Sequence, residues 1–301
     1  MSEQKNLSVI KEETINAVTA KIQSYQKSNA MRLPGNYSPE NALKSAWLML
    51  QNIQDRNNHP VLQSCTKESI INALLDMVVQ GLNPSKKQGY FIAYSNQLAF
   101  QRSYFGTQAV AKMVDDTIQE ILAEVVYESD DFKYRINRGK KEITQHEQSL
   151  ENINGKKIKA AYCMIIDNDG QVKTTEIMTF EEIKQAWAQS KMNPIDDKGN
   201  VKSGNTHDKF TAEMCKKTVI NRACKSIINS SSDSHLFLQS VNRSSEIKVE
   251  EDVRDEIAIN ANGESLDIES EVINETDPAP ETTPTQKPQQ ATLINEEGPG
   301  F

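Results

Sequence analysis

Long apolar runs are missing from this chain. No stretch of its 301 residues approaches the roughly 18 apolar positions that a membrane span needs. The opening MSEQKNLSVIKEE lacks the apolar stretch of a signal peptide, so a soluble, cytoplasmic protein is expected. Cysteine is scarce. Cys65, Cys163, Cys215 and Cys224 show no C-x-x-C spacing, which argues against a disulfide or zinc framework and for reduced, mostly buried thiols. His59, His146, His207 and His235 are scattered without metal-ligand spacing, so no metal site is expected. NPSKKQGY lacks the paired glycines and the Lys-Ser/Thr ending of a phosphate-binding loop.

One arrangement imitates catalysis. Asp167 or Asp169 followed by Glu182-Ile183-Lys184 resembles the carboxylate pair and lysine of metal-dependent nucleases. The aspartates read as a turn, however, and Thr179 with Glu182 as a capping box that opens a helix. No enzyme activity is expected.

What is present is an uneven charge. The formal net charge is -8, which at first argues against a nucleic-acid partner. Residues 245–301 hold 15 acidic and 3 basic side chains, so the preceding residues carry a net of +4. Rich in acid and poor in aromatics, 245–301 is expected to be a disordered acidic tail. It closes on EEGPGF, much like the tails by which bacterial single-stranded DNA-binding proteins recruit partners. Residues 1–36 are polar, with one helix through Ile10, Ile15, Val18 and Ile22, and are expected to form a flexible arm. Residues 37–244 are then the folded core.

Within that core, spacing predicts a pair of N-terminal helices, Ser38 to about Asn57 and Thr66 to Gln80. From Gly89 the period becomes two, and GYFIAY and QLAFQRSY flank Ser95-Asn96 as a hairpin. Strands are predicted at 118–127, 132–137, 157–166 and 172–178, then a helix through Trp187 and a long loop over 190–207. A last helix runs from about Asp208 to Asn229. The fold class is α+β, a small antiparallel sheet packed with helices.

Two groups of residues have the chemistry to hold a single strand, whose phosphates need cations and whose bases stack on aromatic faces. The first is Lys86, Lys87, Arg102 and Lys112, interleaved with Tyr90, Phe91, Tyr94, Phe100, Tyr104 and Phe105. The second is the last helix, with Lys209, Lys216, Lys217, Arg222 and Lys225. Core aromatics under solvated lysines, and a helix with an ordinary basic face, would give the same patterns.

The stretch HPVLQSCTKESIINALLDMVVQGLNPSKKQGYFIAYSNQLAFQRSYFGTQAVAK resembles the RecT family of phage-type single-strand annealing proteins. VVYESDDF and MCKKTVINRACKSIINSS resemble further blocks of the same family, and together the blocks span roughly 40–240. The resemblance implies ATP-independent annealing of complementary strands in homologous recombination and a DNA groove formed by a sheet and a helix. It also implies assembly into rings or filaments on DNA and work beside a partner exonuclease. It carries the DNA-binding role onto Lys86, Lys87, Arg102 and Lys112, and onto Lys216, Lys217, Arg222 and Lys225. Where the family often has lysine at its Tyr-Gly block, this chain has Phe105 before Gly106, so stacking or packing is expected there. Single-stranded DNA, the annealed duplex and a host single-stranded DNA-binding protein are the expected partners. No cofactor is expected, with a magnesium requirement left open. A passive strand-coating protein is the alternative function. The two N-terminal helices, with Trp47 and Met49, are expected either to join subunits or simply to fill the core.

Overall fold

Side-chain caps start the first core helices. Ser38 accepts from the Asn41 amide to open α2 (Pro39–Leu50), and Thr66 accepts from the Ser69 amide to open α4 (Lys67–Val79). The short α3 (Val61–Ser64) lies between them. The computed structural model describes residues 2–31, 33–55, 57–190, 193–231 and 235–245, all within one unit, Met1–Ile257. The acidic segment expected to be disordered lies, from residue 246 onward, outside the described residues.

The residues expected to form an arm carry α1 (Ser2–Lys27), which packs on α4. Val18 and Ile22 are buried there, and Lys67 pairs with Glu13 at 2.6 Å. The apolar spacing that predicts the helix also supplies the face that docks it. Trp47 is 1% exposed and belongs to the core, while Leu48 and Met49 face outward.

β1 (Gly89–Tyr94) and β2 (Gln97–Arg102) form the expected hairpin, with Tyr94 opposite Gln97 across Ser95-Asn96. The hairpin packs on α4, where the Ser69 hydroxyl accepts from the Leu98 amide and Thr66 donates its amide to the Asn96 carbonyl. α5 (Tyr104–Val114) follows directly, capped by Ser103.

A three-stranded antiparallel sheet has the order β3 (Ile118–Tyr127), β6 (Ile158–Asp167), β7 (Val172–Thr179). Strand alternation gives it two apolar faces. Val125, Ala161, Cys163, Ile165 and Met178 join the main core, against which α6 (Phe180–Ala188) and α8 (Thr211–Asn229) pack. Val126, Ala160, Tyr162 and Ile177 form a second, small core on the opposite face. It is covered by Phe132 and Ile143 from a hairpin of β4 (Asp131–Asn137) and β5 (Lys140–Glu147). β5 escaped the sequence reading because its apolar residues are few. Its partner β4 did not.

The predicted last helix is interrupted at Phe210, which separates the single turn α7 (Thr206–Lys209) from α8. A further helix, α9 (His235–Arg243), packs on α4 through Phe237 and Val241. Arg243 reaches both carboxylate oxygens of Asp76 in α4. The architecture is α+β, as its pattern of periods predicts.

Candidate nucleic-acid interface

The β1–β2 hairpin is locked onto the start of α5. Ser103 donates its amide to the Gln88 carbonyl and its hydroxyl to the Lys87 carbonyl at 2.6 Å. At Gly106 a Cβ would sit 2.0 Å from the Gln88 carbonyl oxygen, so only glycine permits this approach. The Phe-Gly pair of the sequence thus marks a backbone contact. The aromatic beside it is free to face outward.

Three aromatics lie at this junction. Tyr104 and Phe105 have ring centroids 4.0 Å apart, and Phe105 and Tyr90 are exposed. Burial, then the nearby charge of Glu213, then Tyr90 push the Tyr104 phenol above its usual range. Glu213 belongs to the first turn of α8, so this helix begins beside the aromatic group. α5 and α8 then run in contact.

Along α8, Lys217, Asn221 and Lys225 recur every four residues and form one row. Lys225 and Asn221 line a cleft between α5, α8 and α9, shared with Thr107 and Asn242. The Asn221 side-chain oxygen is buried there with no hydrogen-bond partner. At the other end of the row, burial and then the charge of Lys217 hold His207 below its usual pKa, keeping it neutral at pH 7. Lys209 is exposed on α7, just before the exposed Phe210. The α5–α8 seam therefore combines stacking faces at one end with a line of cations.

The other expected site residues separate from this row. Lys216 turns to the sheet edge and pairs with Glu124 of β3 at 2.8 Å, and Arg222 pairs with Glu176 of β7 at 3.3 Å. Lys86 and Lys112 line a cavity of about 470 Å³ with Asn36, Tyr37, Gln80 and Gln88. Lys87 is exposed at the turn between, in left-handed backbone geometry with φ +56°.

Arg102 requires correction. It is 7% exposed, and its guanidinium donates to Gln80 at 2.6 Å, Thr107 at 3.2 Å, the Val241 carbonyl and the Ser244 hydroxyl. Its side chain alternates inward along β2, so it knits α4, α5 and α9 together and offers no surface cation. A period-two pattern cannot tell the wet face of a strand from a buried polar one.

The nuclease-like arrangement resolves into local structure. Asp167 accepts from the Asp169 and Gln171 amides in a turn, and Glu182 accepts from the Thr179 amide at 2.8 Å. Among the described residues no group of three or more His, Cys, Asp or Glu is placed to hold a metal. Burial pushes the thiols of Cys215 and Cys224 up to about 12, so both are inert. No helix among the described residues is long and apolar enough to cross a membrane.

The sequence model of the RecT family matches residues 40–259. The chain belongs to the RecT family. That match runs from α2 through α9 and includes the whole α5–α8 seam. Membership places this RecT-family chain among DNA-binding proteins that anneal single strands in recombination. A comparison with curated proteins finds no match.

Proposed function

We propose that this chain binds single-stranded DNA along the α5–α8 seam and anneals complementary strands without ATP or strand cleavage. The observation that carries the reading is the Lys217, Asn221, Lys225 row running from the Tyr104–Phe105 stack, in a chain of the RecT family. Cations hold phosphates while aromatic faces hold some bases, so the remaining base edges stay free to test a second strand. Base pairing then supplies all of the sequence specificity. Lys209 extends the seam at its start, and Lys87 brings a cation to the aromatic end. Lys86 and Lys112 border a separate polar cavity and have a lesser part in strand binding.

The net of +4 over residues 1–244 is small for a DNA binder. In this reading many subunits align their seams on one strand as a ring or filament, and a partner exonuclease supplies the strand in the cytoplasm. Residues 1–36, 37–244 and 245–301 act as an N-terminal segment, the binding core and an acidic tail. A host single-stranded DNA-binding protein is the candidate partner for the tail.

The decisive measurement mixes two complementary labelled strands with the protein in the absence of ATP and times duplex formation. Faster pairing than in buffer is expected. Slower pairing would identify a passive coating protein, and unchanged pairing would sink both readings. In the double variant Lys217→Ala/Lys225→Ala, the salt slope of strand binding should fall by about 1.4, at about 0.7 per lost phosphate contact.

A further inference from the structure

The β4–β5 hairpin carries a second concentration of cations that lies apart from the seam. Residues 132–141, FKYRINRGKK, hold five basic side chains and no acid. Residues 133–140 are exposed without a break. Lys133 pairs with Asp131 and Arg135 with Glu142, while Lys141 approaches Glu176. Arg138 and Lys140 have no ion-pair partner among the described residues. They occupy the two sides of the tip, where Arg138 and Gly139 have φ of +49° and +80°, as a two-residue hairpin turn requires. A Cβ on Gly139 would meet nothing within 4 Å, so the tip stands in open space.

Its base is rigid. Phe132 stacks on Tyr162 of the sheet at 5.7 Å and 19°. His146 of β5 lies between the Tyr162 hydroxyl at 3.0 Å and Asp130 at 3.3 Å. Tyr134 continues the aromatic row 6.1 Å beyond Phe132, is 49% exposed, and is followed on the same face by the exposed Ile136. A ring with one open face beside tip cations that form no ion pair among the described residues is complementary to a nucleotide strand. The hairpin covers the sheet face opposite to the one on which α8 packs.

We propose that this hairpin is a second nucleic-acid contact, in which Arg138 and Lys140 take phosphates of the incoming complementary strand and Tyr134 stacks one of its bases. The inference rests on the annealing reading above. An annealing protein must handle two strands, and cations on opposite faces of one sheet let each strand have its own support without competing for the seam.

The test uses the full chain carrying Arg138→Ala and Lys140→Ala together, with Tyr134→Ala as a second variant. Binding of a labelled first strand is read by fluorescence anisotropy, and capture of its complement by the rate of duplex formation across a salt series. Because Arg138 and Lys140 are exposed and form no ion pair among the described residues, the thermal midpoint should match wild type. First-strand affinity should stay within about twofold, while the salt slope of the pairing rate falls by about 1.4 for two lost phosphate contacts. Tyr134→Ala should slow pairing by about fivefold or more, from one lost base stack. Unaltered pairing in both variants, beside a wild type that anneals, overturns the hairpin assignment and leaves the annealing reading intact. A wild type that does not anneal defeats the annealing reading instead, and the hairpin assignment with it. Faster pairing in the tip variant would mean that Arg138 and Lys140 hold the chain's own acidic residues, which also overturns the assignment.

Discussion

Arg102 illustrates how one residue type divides between two jobs. Its guanidinium is bonded to groups at the end of α4, in α5 and in α9, so Arg102→Ala removes four buried charge-assisted hydrogen bonds and leaves the Ser244 hydroxyl as the shared donor to the Gln80 and Val241 oxygens. The expected loss is on the order of 3 kcal/mol of folding stability in urea denaturation. DNA affinity per folded molecule should hold. Lys225, by contrast, is exposed at the rim of the cleft, and its removal should weaken strand binding while leaving the unfolding midpoint alone. Gly106→Ala tests a third kind of residue. The added Cβ collides with the Gln88 backbone rather than with a flexible side chain, so a cost of about 2 to 3 kcal/mol is expected. Arg102 and Gly106 read in the sequence as part of one binding motif. Only neighbours distant in sequence show that they hold the motif's scaffold.

At the level of elements, β4–β5 and α9 are secured by charged groups whose energetics differ. Asp130 sits under the hairpin, where burial would raise its carboxyl. Hydrogen bonds from Gln148, the Tyr127 amide, His146 and Asn152 outweigh that effect and hold it below its usual value. A group depressed in the folded state stabilises above its unfolded pKa, and that stability disappears as pH falls through the folded value. Asp130→Asn should therefore flatten the acid limb of the stability profile below about pH 4, measured by urea unfolding. α9 depends on Asp76, which is 6% exposed and receives Arg243. Arg243→Ala leaves that carboxylate short of its cation and should loosen α9, raising amide hydrogen exchange over residues 235–243 before the sheet exchanges. Neither β5 nor α9 was legible in the sequence, because each is short and stabilised by partners far along the chain. α4, the β1–β2 hairpin and the Thr179 cap were legible, because their signals are local periodicity, a two-residue turn and a capping box.

For the whole molecule, the separation of charge governs binding in the proposed reading. Fifteen acids beyond residue 244 set the net charge, while the cations proposed to hold the strands lie at the seam and the hairpin tip. Binding should be independent of base sequence and fall steeply with salt, at a slope of about 0.7 for each phosphate neutralised. Anisotropy titrations with oligo-dT and with mixed-sequence strands over a salt series check both points. Sedimentation with and without DNA checks assembly on the strand. By itself the sequence determined the α+β class, most of the elements, the absence of an apolar run long enough to span a membrane, and the family. Each of these depends on local spacing, composition or linear motif order. Tertiary structure alone decided which cations share a surface. It buried Arg102, turned Lys216 and Arg222 toward Glu124 and Glu176, left Lys217 and Lys225 in a row beside α5, and raised the 133–140 tip off the opposite face of the sheet. A side chain's direction depends on what packs beneath it, and in this chain those partners lie tens of residues away, and for Arg102 at Val241 and Ser244 more than a hundred.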